Sequence, residues 1–293
     1  MAAKVDIRLT QLSVSQKSEE IRKDPVNELS SELVLKIFSY LNLSSLKGCL
    51  LVNRQWNQLA NDPLTWKTPI YKELAFSIDK WAQCLDEHVV AEEDRAEEFL
   101  SLPLDIAEEY RRFQRAFPNQ NARDSLMLVR LPKTLNGGLT IRSIGELAKR
   151  YFPRNPTGYG SIFQSIFDEL GDRSIDRSCW VIMIKGNDAD VLEGSRSRTC
   201  TEQVQIIASL AERGLSDYKV PDALAVITCI FAKYFSSRVR LLGDSPWTYT
   251  WCQDNVQDHQ VLVGGFVSGG LDVIEFASWG SSFQFGVTAL RKF

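Results

Sequence analysis

The sequence is poor in histidine and in closely spaced cysteines. Its 293 residues contain two histidines and six cysteines, and neighbouring cysteines lie at least 21 positions apart. Zinc sites usually need cysteine or histidine pairs about two to four residues apart, so this spacing does not indicate a metal site. A chain of this length without a secretory signal is not a small disulfide scaffold either. We therefore expect reduced cysteines and neither a metal nor another cofactor.

An excess of charge and a long apolar run are also missing. The formal net charge is −3, which does not favour nucleic acid as a partner, because nucleic-acid-binding proteins usually carry a basic surface. No segment approaches the roughly 18 consecutive apolar residues that a membrane helix needs. The polar beginning of the chain lacks the apolar core of a secretory signal. We expect a cytosolic protein with neither a nucleic-acid nor a membrane partner.

The composition changes along the chain and divides it into four zones. They are a polar tail at residues 1–22, a leucine-dense helical zone at 23–70, an acidic helical linker at 71–118 and a mixed zone at 119–293. A chain of this length has room for two domains, each with its own core. The composition shift near residue 119 predicts that the mixed zone is an independent domain.

The mixed zone has helical patterns first and most of its strand patterns last. Thr199 and Glu202 have the spacing of a capping box that opens a helix, and Pro221 is expected in the first turn of the next helix. The predicted strands are 124–131, 179–185, 237–242, 247–253, 259–266, 271–279 and 285–293. No leucine-rich or propeller repeat is visible. The predicted fold class is therefore α+β, with a mostly antiparallel C-terminal sheet.

The leucine-dense zone contains two amphipathic helical patterns. In the first, Leu29, Leu33, Ile37 and Leu41 recur at intervals of four, with Val34 and Phe38 beside them. The second begins at Ser44 or Ser45, and its apolar residues cover more than one face: Leu46, Cys49, Leu50, Val52, Trp56 and Leu59. A unit of about 45 residues cannot bury so much apolar surface within itself. Either the rest of the chain or the groove of a partner protein must cover it.

The same zone resembles a known motif. Residues 24–66 resemble an F-box over its whole length, at these positions: Leu29, Glu32, Leu33, Ile37, Phe38, Leu41, Leu46, Val52, Trp56, Leu59, Asn61, Asp62, Pro63 and Trp66. Two positions depart from the usual pattern. Ser30 replaces a proline, which loosens the entry to the first helix, and Asn53 replaces a cysteine.

The resemblance implies a three-helix F-box that docks a Skp-type subunit of a cullin–RING ubiquitin ligase. The adaptor-binding residues that it implies are Leu29, Leu33, Ile37, Phe38, Leu41, Leu46, Leu50, Val52 and Trp56. Trp56 and Trp66 would help to close the helical unit and to join it to the following segment. Residues 119–293 would recruit a protein substrate, and no residue would catalyse a reaction. The C-terminal zone resembles F-box proteins of chlamydia-like intracellular bacteria, which implies an effector that uses a host ligase.

An enzymatic C-terminal zone is the alternative hypothesis. The segment "DHQVLVGGF" resembles the strand that carries the histidine of papain-like thiol hydrolases, which makes His259 the candidate base. The segment "SCW" contains a Cys-Trp pair like that family's, which makes Cys179 the candidate nucleophile. Ala277 stands where that family has its orienting asparagine, and Arg173 stands where it has its oxyanion glutamine. Cys252 is a second candidate thiol. These departures favour the non-catalytic adaptor.

Arg196 and Arg198 form a smaller charged feature directly before the helix that Thr199 opens. Two arginines at the beginning of a helix suit a phosphate or an acidic motif. A solvated loop is the preferred interpretation, because most charged side chains in loops face water.

Overall fold

The computed structural model describes residues 29–85, 89–186, 188–277 and 279–293. The polar tail predicted for residues 1–22 lies outside these ranges, as do the first residues of the leucine-dense zone. The α-helices of the described ranges are α1 Ser31–Phe38, α2 Leu43–Cys49, α3 Arg54–Ala60, α4 Pro63–Glu73, α5 Ile78–Cys84, α6 Glu92–Ser101, α7 Ile106–Ala116, α8 Ala122–Ser125, α9 Ile141–Ala148, α10 Gln164–Leu170, α11 Cys200–Ser209 and α12 Ala223–Ser237. The strands are β1 Leu126–Leu131, β2 Ser161–Ile162, β3 Cys179–Ile184, β4 Tyr249–Val256, β5 His259–Val267, β6 Gly270–Phe276, β7 Phe285–Gly286 and β8 Ala289–Lys292.

Short polar side chains start the first three helices. The Ser30 hydroxyl caps α1 by accepting the Leu33 amide at 3.4 Å, and the Asn42 side chain caps α2 in the same way. The Asn53 side chain accepts the Trp56 amide at 2.9 Å and caps α3. Asparagine and serine suit this position because their oxygens satisfy amides that have no partner inside the helix. Both departures from the usual F-box pattern, Ser30 and Asn53, are therefore helix caps in this chain.

The strands form two sheets. The first is antiparallel with the order β1-β3-β8, and the second has the order β2-β6-β5-β4-β7. In the second sheet the long strands β4, β5 and β6 are antiparallel, whereas the two-residue strands at its edges, β2 and β7, pair in parallel. The predicted α+β class with a mostly antiparallel C-terminal sheet is confirmed.

Strand β3 is buried on both faces, and its successive side chains point in opposite directions into two clusters. In β3, Val181 and Met183 lie in a core cluster with α12, whereas Trp180 and Ile182 lie in a second cluster with α7. The whole of β3 is therefore buried, as its continuous apolar run predicts. The 15-residue helix α12 is the centre of the first cluster, and its residues from Val226 to Ala232 are all buried.

Residues of the acidic linker pack directly onto β1 and β3. The Phe76 amide donates to the Leu128 carbonyl at 2.7 Å, and the Arg130 amide donates to the Phe76 carbonyl at 2.9 Å. The Trp81 indole, which is fully buried, donates to the Arg130 carbonyl at 2.9 Å. The Trp180 indole donates to the Glu98 carbonyl at 3.0 Å. Contacts thus cross the predicted boundary at residue 119, which itself stays a prediction.

Two local predictions are wrong. The predicted strand 237–242 is absent, since Ser237 still belongs to α12 and residues 238–242 form a loop with a φ of 60° at Arg238 and 52° at Leu242. Positive φ angles do not fit an extended strand. Pro221 lies before the N-cap residue Asp222, outside the first turn of α12. The predicted capping box of Thr199 and Glu202 is confirmed.

None of the described helices combines the length and the apolar character that a membrane span requires.

Candidate partner-binding site

Helix α1 carries apolar side chains on two faces, and only one of the two is covered. Val34 and Phe38 are 1% and 2% exposed and belong to the second core cluster. Leu33 and Ile37, one turn apart, are 51% and 48% exposed. Residues four apart lie on the same face of a helix. The exposed face of α1 is therefore an apolar stripe that the described part of the chain leaves largely uncovered.

Further exposed apolar residues lie near the ends of α1 and α2. Leu29 is 37% exposed, and Tyr40, directly after α1, is 73% exposed. Leu51 and Val52, in the turn between α2 and α3, are 88% and 54% exposed. So many exposed apolar side chains in a segment of 24 residues exceed the single scattered residues that are normal for a protein surface.

The remaining residues that the resemblance singles out face inward to different degrees. Phe38 and Leu46 are buried, and Leu41, Leu50 and Trp56 are partly buried against the same cluster. The Phe38 and Trp56 rings lie 5.4 Å apart between centroids, with a tilted arrangement. This aromatic pair ties α1 to α3 and holds the exposed stripe of α1 in place.

Trp66 joins the first three helices to the rest of the chain. Its side chain is 8% exposed, and its indole N–H donates to the Ala60 carbonyl at 2.5 Å. The Arg111 guanidinium of α7 lies 5.6 Å from the centre of the Trp66 ring. Trp66 therefore anchors α4 to α3 on one side and to α7 on the other.

Glu73 makes a second connection at the end of α4. Its carboxylate accepts the Leu43 amide of α2 at 2.8 Å and pairs with the Arg123 guanidinium of α8 at 2.9 Å. Together with Trp66, it fixes the exposed stripe relative to the two sheets. A rigid link of this kind suits a protein that must position one partner relative to another.

Tyr40 and Leu51 are not among the adaptor-binding residues that the resemblance implies, although both are more exposed than Leu33. Neither residue is on the four-residue repeat of α1, because each lies in the turn that follows a helix. A large apolar residue outside the helical repeat was the available signal.

This part of the chain matches a known protein family. Residues 31–72 match the F-box-like family. F-box protein dre-1 of Caenorhabditis elegans is 43% identical over 49 residues, which are 17% of this chain and 5% of that protein. No solved structure matches the chain significantly. The chain therefore contains an F-box segment, formed by α1 to α4.

The candidate nucleophile of the alternative hypothesis lies in the C-terminal zone, at a polar cavity. Cys179 begins β3, is 8% exposed and lines a cavity of ≈ 460 Å³. Burial raises the pKa of the Cys179 thiol, so the thiol is protonated at neutral pH and is a weak nucleophile. The cavity also contains Lys292, whose ammonium lies 2.6 Å from the Asp222 carboxylate.

The candidate base lies elsewhere. His259 begins β5 in the second sheet and is exposed, and its Nδ1 lies 3.1 Å from the Gln257 carbonyl oxygen. Among the described residues that line the Cys179 cavity there is no histidine. Cys252, the other candidate thiol, is fully buried, and burial raises its pKa well above the usual value. No contact between either thiol and His259 is present in the described parts of the chain.

Within the part of the chain that the structure describes, no three side chains of histidine, cysteine, aspartate or glutamate are grouped closely enough to hold a metal ion.

Proposed function

We propose that the chain is an F-box adaptor that docks a Skp-type subunit of a cullin–RING ubiquitin ligase and recruits a protein substrate through residues 119–293. The observation that supports this best is the exposed apolar stripe of α1, since Leu33 and Ile37 lie on an F-box helix whose opposite face is already buried. An exposed helical stripe of this spacing is the usual means by which a helix enters the groove of a partner.

In this function the chain positions the substrate and does not catalyse a reaction itself. The F-box binds the ligase, and the C-terminal zone binds the substrate, so that a substrate lysine stays near the ubiquitin-charged enzyme. A tethered reactant has an effective concentration far above its concentration in solution. The contacts of Trp66 and Glu73 support this role, because they join the F-box helices to α7 and α8.

The proposed contact can be tested with purified proteins. The full chain and a recombinant eukaryotic Skp-type subunit should form a 1:1 complex with a dissociation constant of about 1 μM or tighter, as ordinary specific interfaces have. Titration calorimetry measures the affinity, and gel filtration measures the stoichiometry. Ser31→Asp is a matched control, because Ser31 is exposed on α1 on the side away from the stripe. The adaptor proposal would be wrong if neither protein bound the subunit at 100-fold higher concentration.

We also retain the proposal of a bacterial effector that uses a host ligase. It rests on the resemblance of the C-terminal zone alone, whereas the curated relative is a nematode protein that matches a short segment. Binding to Skp-type subunits from several eukaryotes would identify the host range, and binding to none of them would remove the basis for an effector.

The alternative, a thiol hydrolase, makes a different prediction. Since Cys179 and Cys252 are buried and burial raises the pKa of each thiol, a ubiquitin-based thiol-reactive probe should not label the native chain. Cys179→Ala should therefore give the same labelling as wild type, measured by intact-protein mass spectrometry. Unfolded protein, in which every thiol is accessible, is the positive control for alkylation. Labelling of the native wild type that disappears in Cys179→Ala would establish the hydrolase in place of the non-catalytic adaptor.

A further inference from the structure

A second group of exposed apolar side chains lies in the C-terminal zone, around the loop that joins β6 to β7 and directly before β4. It consists of four aromatic residues, named here the aromatic patch: Trp247, Phe276, Trp279 and Phe283. Trp279 and Phe283 are 82% and 66% exposed, and Trp247 and Phe276 are 39% and 38% exposed. Large aromatic side chains are usually at least half-buried unless they serve an interface.

Arg196 brings two parts of the aromatic patch together. Its guanidinium donates to the Phe283 carbonyl at 2.8 Å, to the Trp247 carbonyl at 3.5 Å and to the Thr248 hydroxyl at 2.5 Å. It also pairs with the Asp188 carboxylate at 3.0 Å. The Arg196 side chain is only 14% exposed, so it is neither the solvated loop residue nor the phosphate ligand considered from the sequence. It fixes the loop before β7 against the beginning of β4.

Phe276 and Trp279 belong to the same surface. The Phe276 ring lies 4.9 Å from the Phe285 ring, which contacts the Tyr249 ring at 6.1 Å. The Trp247 ring is parallel to the Tyr249 ring at 6.5 Å. A Cβ atom added to Gly280 would lie 2.2 Å from the Phe276 ring, so the loop that carries Trp279 passes directly over this ring. These contacts connect the four residues of the aromatic patch through buried neighbours.

The charges next to the aromatic patch are mainly negative. Asp244 is exposed and its backbone pairs with Trp247, and the Asp272 carboxylate accepts the Tyr249 hydroxyl at 3.3 Å. Asp188 is 39% exposed, whereas its partner Arg196 is largely buried. Arg198 is exposed too, but it pairs with Glu202 at 3.3 Å. The charged groups beside the aromatic patch that stay accessible to a partner are therefore carboxylates.

We propose that the aromatic patch is a docking surface for a substrate segment that contains lysine or arginine beside apolar residues. A cation is attracted to the face of a tryptophan ring and to nearby carboxylates, and the apolar neighbours cover the remaining ring surface. An acidic segment would meet repulsion from Asp244, which is exposed beside Trp247. This inference rests on the proposed adaptor function, because it names the surface and the class of substrate that residues 119–293 recruit.

The test uses a phage-displayed library of random 12-residue peptides, selected on the full chain. Trp279→Ala with Phe283→Ala is the patch variant, and Leu100→Ala with Leu104→Ala is the matched control, since Leu100 and Leu104 are 80% and 56% exposed on a different part of the chain. We expect the enriched peptides to contain more lysine and arginine than the library does. Synthetic copies should bind the patch variant at least about tenfold more weakly than wild type, which is the usual loss for a central aromatic contact.

Two further measurements make the result specific. Replacement of the lysine and arginine residues of a peptide by glutamine should also weaken binding about tenfold, and the control variant should bind like wild type. The inference is overturned if the enriched peptides show no excess of basic residues, or if they bind the patch variant as tightly as wild type. It is equally overturned if no peptide is enriched on wild type. Binding to the Skp-type subunit is measured in parallel and should be equal in all three proteins, so failure of the adaptor function is distinguishable from failure of the patch.

Discussion

A chain that carries both Leu33→Asp and Ile37→Asp should lose all measurable binding to the Skp-type subunit. Both residues lie on the exposed face of α1, where the adaptor contact is proposed. Burial of an unpaired carboxylate costs several kcal/mol. A micromolar to nanomolar complex has only about 8–12 kcal/mol of binding free energy in total. Two such charges therefore reduce the affinity by several orders of magnitude, which titration calorimetry detects as the absence of binding heat.

The fold of the double variant should not change. Leu33 and Ile37 are about half exposed, so each carboxylate stays in contact with water in the free protein. The melting temperature of the variant should therefore lie close to that of wild type, and its aromatic patch should keep the same peptide affinity. If the double variant bound the Skp-type subunit as tightly as Ser31→Asp, another surface would make the contact. Loss of binding together with loss of the fold would instead place this stripe inside the core of the chain.

The spacing of apolar residues predicted the helix α1, but it could not predict which of its two apolar faces is covered. Val34 and Phe38 contact the core, whereas Leu33 and Ile37 do not. The difference depends on where α3 and α4 pack, and this depends on residues such as Trp56 and Trp66 that lie far along the chain. The periodicity of apolar residues indicates that a helix face is apolar, but it does not indicate which part of the protein packs against that face.

The C-terminal strands show where local patterns succeed and where they fail. The continuous apolar run of β3 predicted a strand buried on both faces. The structure confirms this prediction, because successive side chains of β3 lie alternately in the two core clusters. The segment 237–242 is also predicted as a strand, yet Ser237 ends α12 and residues 238–242 form a loop with Leu241 and Leu242 buried. Arg238 and Leu242 have positive φ angles, and the Asp190 carboxylate accepts the Leu242 amide at 3.1 Å. Tertiary contacts of this kind override local preference.

The aromatic patch was missed from the sequence because exposure is a property of the folded chain. Trp247 and Trp279 lie at the ends of two predicted strands, where a buried position is the ordinary expectation for tryptophan. The contact of Gly280 with the Phe276 ring and the hydrogen bonds of Arg196 to Trp247 and Phe283 form only in the folded chain. The sequence shows Arg196 as a charged loop residue, whereas its guanidinium donates to backbone carbonyls more than 50 residues away.

The second large effect that we expect is on the stability of the fold, and it concerns the acidic linker. The composition shift predicts that residues 119–293 fold alone, whereas the contacts of Phe76, Trp81 and Glu98 predict that residues 74–118 belong to the same cooperative unit. The fragment 119–293 would lose α7, whose Phe113 is fully buried in the cluster that covers Trp180. Loss of one large buried aromatic side chain costs about 3–5 kcal/mol, and a whole domain is stable by only about 5–15 kcal/mol.

We therefore expect the fragment 74–293 to melt cooperatively, and the fragment 119–293 to be unfolded or to melt at a much lower temperature. Circular dichroism and calorimetry of both fragments measure this difference, with the full chain as the reference. Trp81→Ala in the full chain is an independent test, since it removes one buried side chain without a truncation and should also lower the melting temperature. If 119–293 melted at the same temperature as 74–293, the boundary at residue 119 would be a true domain boundary. The acidic zone would then be a linker that packs on the domain without stabilising it, and the F-box would be free to move relative to the substrate.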